Sequence, residues 1–174
     1  MINLSQNSNI RRIDELGRLV IPKDIRKKLH IKDNEPLEIY IENDEIHIKK
    51  YSSLPDIIEY IIYLTDMGNR TTNNKYIVTD RDHIIASTNP EYIGKTLSGT
   101  LENIVMNTKE IRNEYMSLPI SENLKINANV NIYPIIIDND RTGVIIEYNE
   151  NKSLIEDDVI KIFKNLIEKK LNNY

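Results

Sequence analysis

Cysteine is absent from this chain of 174 residues, which excludes disulfide staples, thiolate metal sites and a cysteine nucleophile and suits a reducing compartment. Also missing is any run of about 18 apolar residues, the length a membrane-spanning helix needs, so no membrane partner is expected. The opening MINLSQNSNI has neither the basic start nor the apolar stretch of a signal peptide, and a cytoplasmic protein is expected. Glycine is scarce, with five in the chain, and no Walker A loop, Gly-rich dinucleotide turn or G-x-S-x-G elbow occurs. His30, His47 and His83 fall in different elements without metal-ligand spacing, and no thiol is there to complete a site. The expectation is a protein that is not an enzyme, with no catalytic residues, no cofactor and no metal.

What is present is charge, unevenly spread. The net charge of −4 hides two opposed regions. Residues 10–32 hold eight Lys and Arg against three Asp and Glu, a net of +5, whereas residues 51–174 hold 13 basic and 18 acidic residues, a net of −5. A basic head on an acidic body is the layout of a DNA-binding module joined to a regulatory one. The length suits two small units of about 50 and 120 residues, the smaller marginal by itself.

The first nine residues are polar and read as a tail. Strands are expected over residues 10–13 and 18–21, joined through Asp14-Glu15-Leu16-Gly17, where Gly17 supplies turn freedom. Pro22 suits the first position of a short helix over residues 23–29, because its missing N–H is not needed there. This stretch carries Arg11, Arg12, Arg18, Lys23, Arg26, Lys27 and Lys28, an array that a phosphate backbone attracts. After a turn at residues 32–36, Leu37, Ile39 and Ile41 alternate with polar residues, and Asn43-Asp44 leads into Ile46 and Ile48, a second hairpin with one apolar face. Two hairpins and a short helix cannot close a core alone, and a second copy is the simplest cover.

Residues 51–67 read as a linker helix. Ser53 is placed to cap it, Pro55 sits in the first turn, and Ile57, Ile58, Ile61, Ile62 and Leu64 form a broad stripe. The stripe fits either the chain's own core or a helix of another protomer. Residues 68–74 look like the helix exit. Strands are expected at 76–79 and 83–87, a helix at 98–106, and a part-helical, part-loop stretch over 107–126. A long hairpin follows, 127–137 with 142–148, in which Pro134 marks a bulge or an edge. Ser153 and Glu156 suggest a capping box for a last helix with the core stripe Ile155, Val159, Ile162, Phe163, Leu166, Ile167 and Leu171. The acidic run Glu156, Asp157, Asp158 complements that helix's dipole and is not a catalytic cluster. Tyr76, Tyr92, Tyr133 and Tyr148 either pack in the core or line a pocket.

The segments IRRIDELGRLVIPKDIRKKL and PLEIYIENDEIHIKKY resemble the DNA-binding domain of the AbrB family of bacterial transition-state regulators. The remainder is similar to the sensor-type body of that family's stage V sporulation protein T branch, in which an AbrB-like head joins a GAF-like body. The resemblance implies an N-terminal β-rich swapped-hairpin dimeric barrel over residues 1–51, a linker helix and turn over 52–75, and a C-terminal α+β GAF-like sensor domain over 76–174. It places Arg11, Arg18, Arg26 and Lys27 at the family's DNA-contacting positions. Lys27 stands where relatives usually carry a second Arg, and a lysine lacks the planar fork that reads guanine. Arg12, Lys23 and Lys28 either contact DNA or face solvent. The implied partners are double-stranded DNA, further copies of the chain as a dimer or tetramer, and a small-molecule effector of unidentified kind. The implied role is sequence-tolerant, nucleoid-associated regulation of sporulation or stationary-phase genes. The alternative is an antitoxin-like protein-interaction module on the same hairpin architecture.

Overall fold

The structure is a computed structural model that describes residues 10–29, 31, 33, 36–51, 53–107, 109–137, 139–154 and 158–171. The chain divides into two compact units, Met1–Tyr51 and Ser52–Tyr174.

The first unit holds helix α1 (Lys23–Lys28) and the antiparallel pair β1 (Leu37–Glu42) and β2 (Glu45–Lys50). Asn43 and Asp44 join the two strands with φ of 50° and 63°. Positive φ at both central residues is the backbone of a tight hairpin turn whose twist matches its strands, and Asn and Asp tolerate it well. On one face of this hairpin Tyr40 stacks on His47 at 5.3 Å and Glu38 pairs with Lys49 at 3.2 Å. The opposite face is apolar and bare within the protomer: Ile39 is 67% exposed, Ile41 77% and Ile46 68%.

The strands expected at residues 10–13 and 18–21 do not form a ladder in the single protomer. The turn between them does form, with Gly17 N–H donating to Asp14 O at 2.9 Å and Asp14 N–H to Arg18 O at 3.2 Å. The arms carry Ile10, Ile13, Leu16 and Val20 into solvent, and a two-stranded ribbon with nothing to pack against is marginal in water.

The second unit is α+β. After a 3₁₀ turn (Leu54–Ile57) come α2 (Ile58–Thr72), β3 (Lys75–Thr79), β4 (Ile84–Ser87), α3 (Gly99–Asn107), β5 (Ile111–Ser121), β6 (Leu124–Ile137), β7 (Asp140–Asn149) and α4 (Asp158–Leu171). The five strands form one antiparallel sheet in the order β4-β3-β7-β6-β5. The 3₁₀ turn and helices α2 and α4 cover one face through Leu54, Ile61, Leu64, Ile160, Phe163 and Ile167 against Tyr76, Tyr133 and Ile145. Helix α3 covers the other through Leu101 and Val105 against Ile77, Val130 and Ile146. Each such side chain, fully buried, contributes about 1.5–3 kcal/mol. The central strand β7 is covered on both faces, so Val144-Ile145-Ile146 reads as an unbroken apolar run rather than an alternation.

Several expectations need correction here. Residues 107–126 are not part helix and part loop: strand β5 occupies Ile111–Ser121 and turns through Glu122-Asn123 into β6. Arg112 to Tyr115 are exposed and Pro119 interrupts the run, so the alternation that signals a strand survives only over Met116, Leu118 and Ile120. Helix α2 continues past residue 67 to Thr72 and stops where Asn73 turns left-handed at φ 58°. Ser53, which precedes the 3₁₀ turn rather than α2, makes no capping hydrogen bond. Ile57, Ile61 and Leu64 lie in the unit's own core while Ile62 is exposed, so the stripe is split. On α4, Ile162 is 53% exposed and Ile160 takes a buried place that the stripe omitted. The capping residue Glu156, together with Ile155 and Asp157, lies outside the described residues. Pro134 matches expectation: β5 begins opposite Ile132, leaving Pro134 a neighbour on one side only, and a bulge follows at Ile135/Ile136. Tyr76, Tyr133 and Tyr148 are core residues and Tyr92 packs against that core.

Candidate nucleic-acid interface

The Asp14–Arg18 turn is the most defined part of the basic region. Asp14 Oδ1 accepts the backbone N–H of Leu16 at 3.0 Å and of Arg18 at 2.8 Å, and Oδ2 accepts Arg18 Nε at 2.7 Å. Gly17 adopts φ +76°, which closes the loop without strain. The Arg18 backbone N–H and then its guanidinium hold the Asp14 carboxyl below its ordinary range. One acidic side chain therefore fastens the turn and aims the arginine that follows it.

Helix α1 starts after Pro22, with Arg26 N–H donating to Pro22 O at 2.9 Å. Arg26, Lys27 and Lys28 occupy its last turn, where cations oppose the negative end of the helix dipole. Arg26 is half-buried and its Nη1 donates to Asp33 Oδ1 at 2.7 Å. Lys23, Lys27 and Lys28 are exposed, as are Arg11, Arg12 and Arg18. Arg11 Nη1 donates to Ile10 O at 2.9 Å, and Arg11 borders an apolar groove of about 340 Å³ formed by Leu19, Pro22, Ile25, Leu29 and Ile48. The structure thus brings Arg11 beside the base of α1 and leaves Arg18 at the hairpin tip. The roles of Asp14 and Asp33 in orienting Arg18 and Arg26 escaped the sequence reading. The first was visible as an acid four residues before an arginine across a glycine turn. The second joins residues seven apart across the end of a helix and leaves no local signal.

Outside this region, His83 stands with Asp80 and Asp82 at the β3–β4 turn, their ligand atoms within 4.8 Å of one another. Asp80 Oδ1 accepts the backbone N–H of Asp82 at 2.8 Å and of His83 at 2.6 Å, so this carboxylate serves the turn. His47 is committed to Tyr40, and His30 lies outside the described residues. Among the described residues, no helix is long and apolar enough to cross a membrane.

Comparison with known proteins assigns the two units separately. Residues 10–56 match the family model described as antidote-toxin recognition MazE, bacterial antitoxin. Residues 50–172 match that described as Stage V sporulation protein T C-terminal, transcription factor. Stage V sporulation protein T of Bacillus subtilis (strain 168) is 29% identical over 153 residues, covering 84% of this chain and 86% of that one. Transition state regulatory protein AbrB of the same organism is 48% identical over 42 residues, 24% of this chain and 44% of its own. The cofactor-binding GAF domain of the nutrient sensor CodY from Clostridium difficile superposes with a TM-score of 0.49 at 13% identity, covering 63% of this chain and 83% of that one. AbrB is a regulatory protein by name, and the family description matched over residues 50–172 is that of a transcription factor. Because the model spanning residues 50–172 takes in well over half of the sequence, the chain belongs to the Stage V sporulation protein T C-terminal family of transcription factors, with a head of the MazE and AbrB type.

Proposed function

We propose that the head binds double-stranded DNA as part of a dimer or tetramer, and that the body assembles protomers and senses a small molecule. The observation that carries this reading is the pairing of two properties in residues 10–46. Arg11, Arg12, Arg18, Lys23, Lys27 and Lys28 are exposed and of one sign, while Ile39, Ile41 and Ile46 lie bare on a hairpin face. The cations suit a phosphate backbone, and the bare face suits a second copy whose hairpins complete a shared barrel. Arg11, Arg18, Arg26 and Lys27 are the primary DNA contacts, with Arg12, Lys23 and Lys28 adding charge around them. Lysine at position 27 favours phosphate binding over base reading, hence a sequence-tolerant regulator. Control of sporulation or stationary-phase genes is supported by the printed names of the relatives, and a place in the cytoplasm on the nucleoid is part of the same proposal.

The deciding experiment is fluorescence anisotropy of the full chain on promoter-length duplex at two salt concentrations. Six to ten phosphate contacts give a loss of about 10³–10⁵ in affinity between 50 and 200 mM salt. A flat response, or no binding at low salt, removes the reading.

An antitoxin-like interaction module is the second reading, supported by the MazE description over residues 10–56. In that case the C-terminal part would grip a toxin. Weighing against it, residues 54–171 carry a closed core with helices on both faces of a sheet, rather than a short tail free to wrap a partner.

A further inference from the structure

Strand β5 starts opposite Ile132, so the last turn of β6 runs on without it, and the space left beside the sheet is a cleft of about 620 Å³. Pro134 and Ile136 of β6 form its apolar floor. Its walls come from three other parts of the unit: Lys109 and Arg112 at the start of β5, Arg141 on β7, and Lys164 on α4. Among the described residues that line it, Glu110 is the single carboxylate.

This concentration of positive charge runs against its surroundings, since residues 51–174 carry a net of −5. Four cations from three parts of the unit would repel one another across a shared concavity, and folding gathers them there regardless. Neighbours hold Arg112 and Lys164 in place: Arg112 Nη2 lies 2.7 Å from Glu110 and its guanidinium 5.8 Å from the centre of the Tyr133 ring, while Lys164 Nζ lies 3.4 Å from Glu168. Glu168 is also engaged with the backbone, its Oε1 accepting Ile136 N–H at 2.8 Å. A concave site with an apolar floor and convergent, oriented cations is the arrangement that binds a small polyanion.

We propose that this cleft binds a small molecule bearing a di- or triphosphate group. Arg112 and Arg141 offer planar forks to the phosphate oxygens, Lys109 and Lys164 add point charge, and the Pro134–Ile136 floor receives the apolar part of the ligand. The assignment rests on the sensing reading proposed above and gives it a site and a ligand class.

The test uses the full chain with inorganic triphosphate as probe, followed by calorimetry and by hydrogen exchange. Because the basic head also attracts polyanions, three proteins are compared: the unaltered chain, Lys109→Gln/Lys164→Gln, and Arg18→Gln/Arg26→Gln. The expected result is binding that weakens at least tenfold in the cleft variant and is retained in the head variant, with slowed exchange over residues 109–112 and 134–141. Loss confined to the head variant, or absence of binding in the unaltered chain, overturns the proposal. So does a cleft variant that loses DNA affinity while keeping triphosphate, which would make this face a DNA contact. Should the double variant misfold by circular dichroism, Lys109→Gln alone gives the same reading from an exposed side chain. Triphosphate bound in the cleft with unchanged DNA affinity supports the site and removes the sensing reading, so the two fail separately.

Discussion

The phenol of Tyr76 donates to Glu147 Oε1 at 2.7 Å, which leaves a carboxylate that is 1% exposed held by neutral donors. Asn74 Nδ2 donates to the same oxygen and Asn131 Nδ2 to the other, both at 2.8 Å. Among the described residues no cation pairs with it. Three amide and phenol donors drawn from β3, β6 and the loop before β3 therefore replace the water that burial strips from this carboxylate, and they tie those strands to β7. Burial raises the Tyr76 phenol well above its ordinary value, so it stays a donor at any working pH.

Tyr76→Phe should therefore destabilise the body by about 1.5–3 kcal/mol, the range for a hydrogen bond to a charged group. Glu147→Leu should cost more, because it takes the acceptor from the buried amides of Asn74 and Asn131 and leaves the Tyr76 phenol with Thr72 Oγ1 at 3.0 Å. Urea unfolding followed by far-ultraviolet circular dichroism measures both, and unaltered midpoints would refute the account.

Ile41→Asp tests the bare hairpin face. In a lone protomer this position is 77% exposed, so a charge there would be harmless. Covered by a second copy, the same charge would be buried without a partner. The expected outcome is a lower mass by sedimentation and weaker DNA binding, with the body's unfolding unchanged.

Arg18→Ala should weaken DNA binding more than Lys125→Ala, an exposed lysine on β6, and lower the slope of log affinity against log salt by about 1 if one phosphate contact is lost. Lys27→Arg should bind equally well or better. The turn that orients Arg18 has a definite pH sign. Asp14 is held below its ordinary pKa, so its contribution is complete above about 3.9, the unfolded value, and is lost as pH falls through the lowered folded value. Carboxyl-carbon NMR of Asp14 should report a midpoint below that of a free aspartate, and no change in the turn near neutrality.

Gly143→Ala should be among the most damaging small substitutions. A Cβ at this position would sit 1.9 Å from the backbone oxygen of Thr79 on the adjacent strand, where no side chain is available to swing aside. Overpacking of this kind costs about 3 kcal/mol, and thermal unfolding of the purified variant should show it.

The parts of the fold that the sequence announced are those governed by local pattern. Asn43-Asp44 between alternating isoleucines marked the β1–β2 hairpin, Pro22 marked the start of α1, and Val159, Phe163 and Ile167 marked the inner face of α4. Where burial is decided by distant partners the pattern fails. Strand β5 was illegible because Arg112 to Tyr115 face solvent and its pairing is set by β6. Ile162 looked like core but points away from it, since α4 meets the sheet along the line of Ile160, Phe163 and Ile167. The cations of the head were plain from composition alone. The four that line the cleft are spread from position 109 to 164 in an acidic sequence, and only the sheet topology gathers them.

The free end of β6 has a consequence for how the protein behaves when concentrated. An open strand edge normally offers backbone N–H groups on which another molecule's strand can grow. Here Pro134 has no N–H to offer, and that of Ile136 is already taken by Glu168 Oε1. A single helix side chain thus acts as a gatekeeper against fibre growth. Glu168→Ala would leave the fold standing but expose that donor, and its first symptom would be insolubility at high expression.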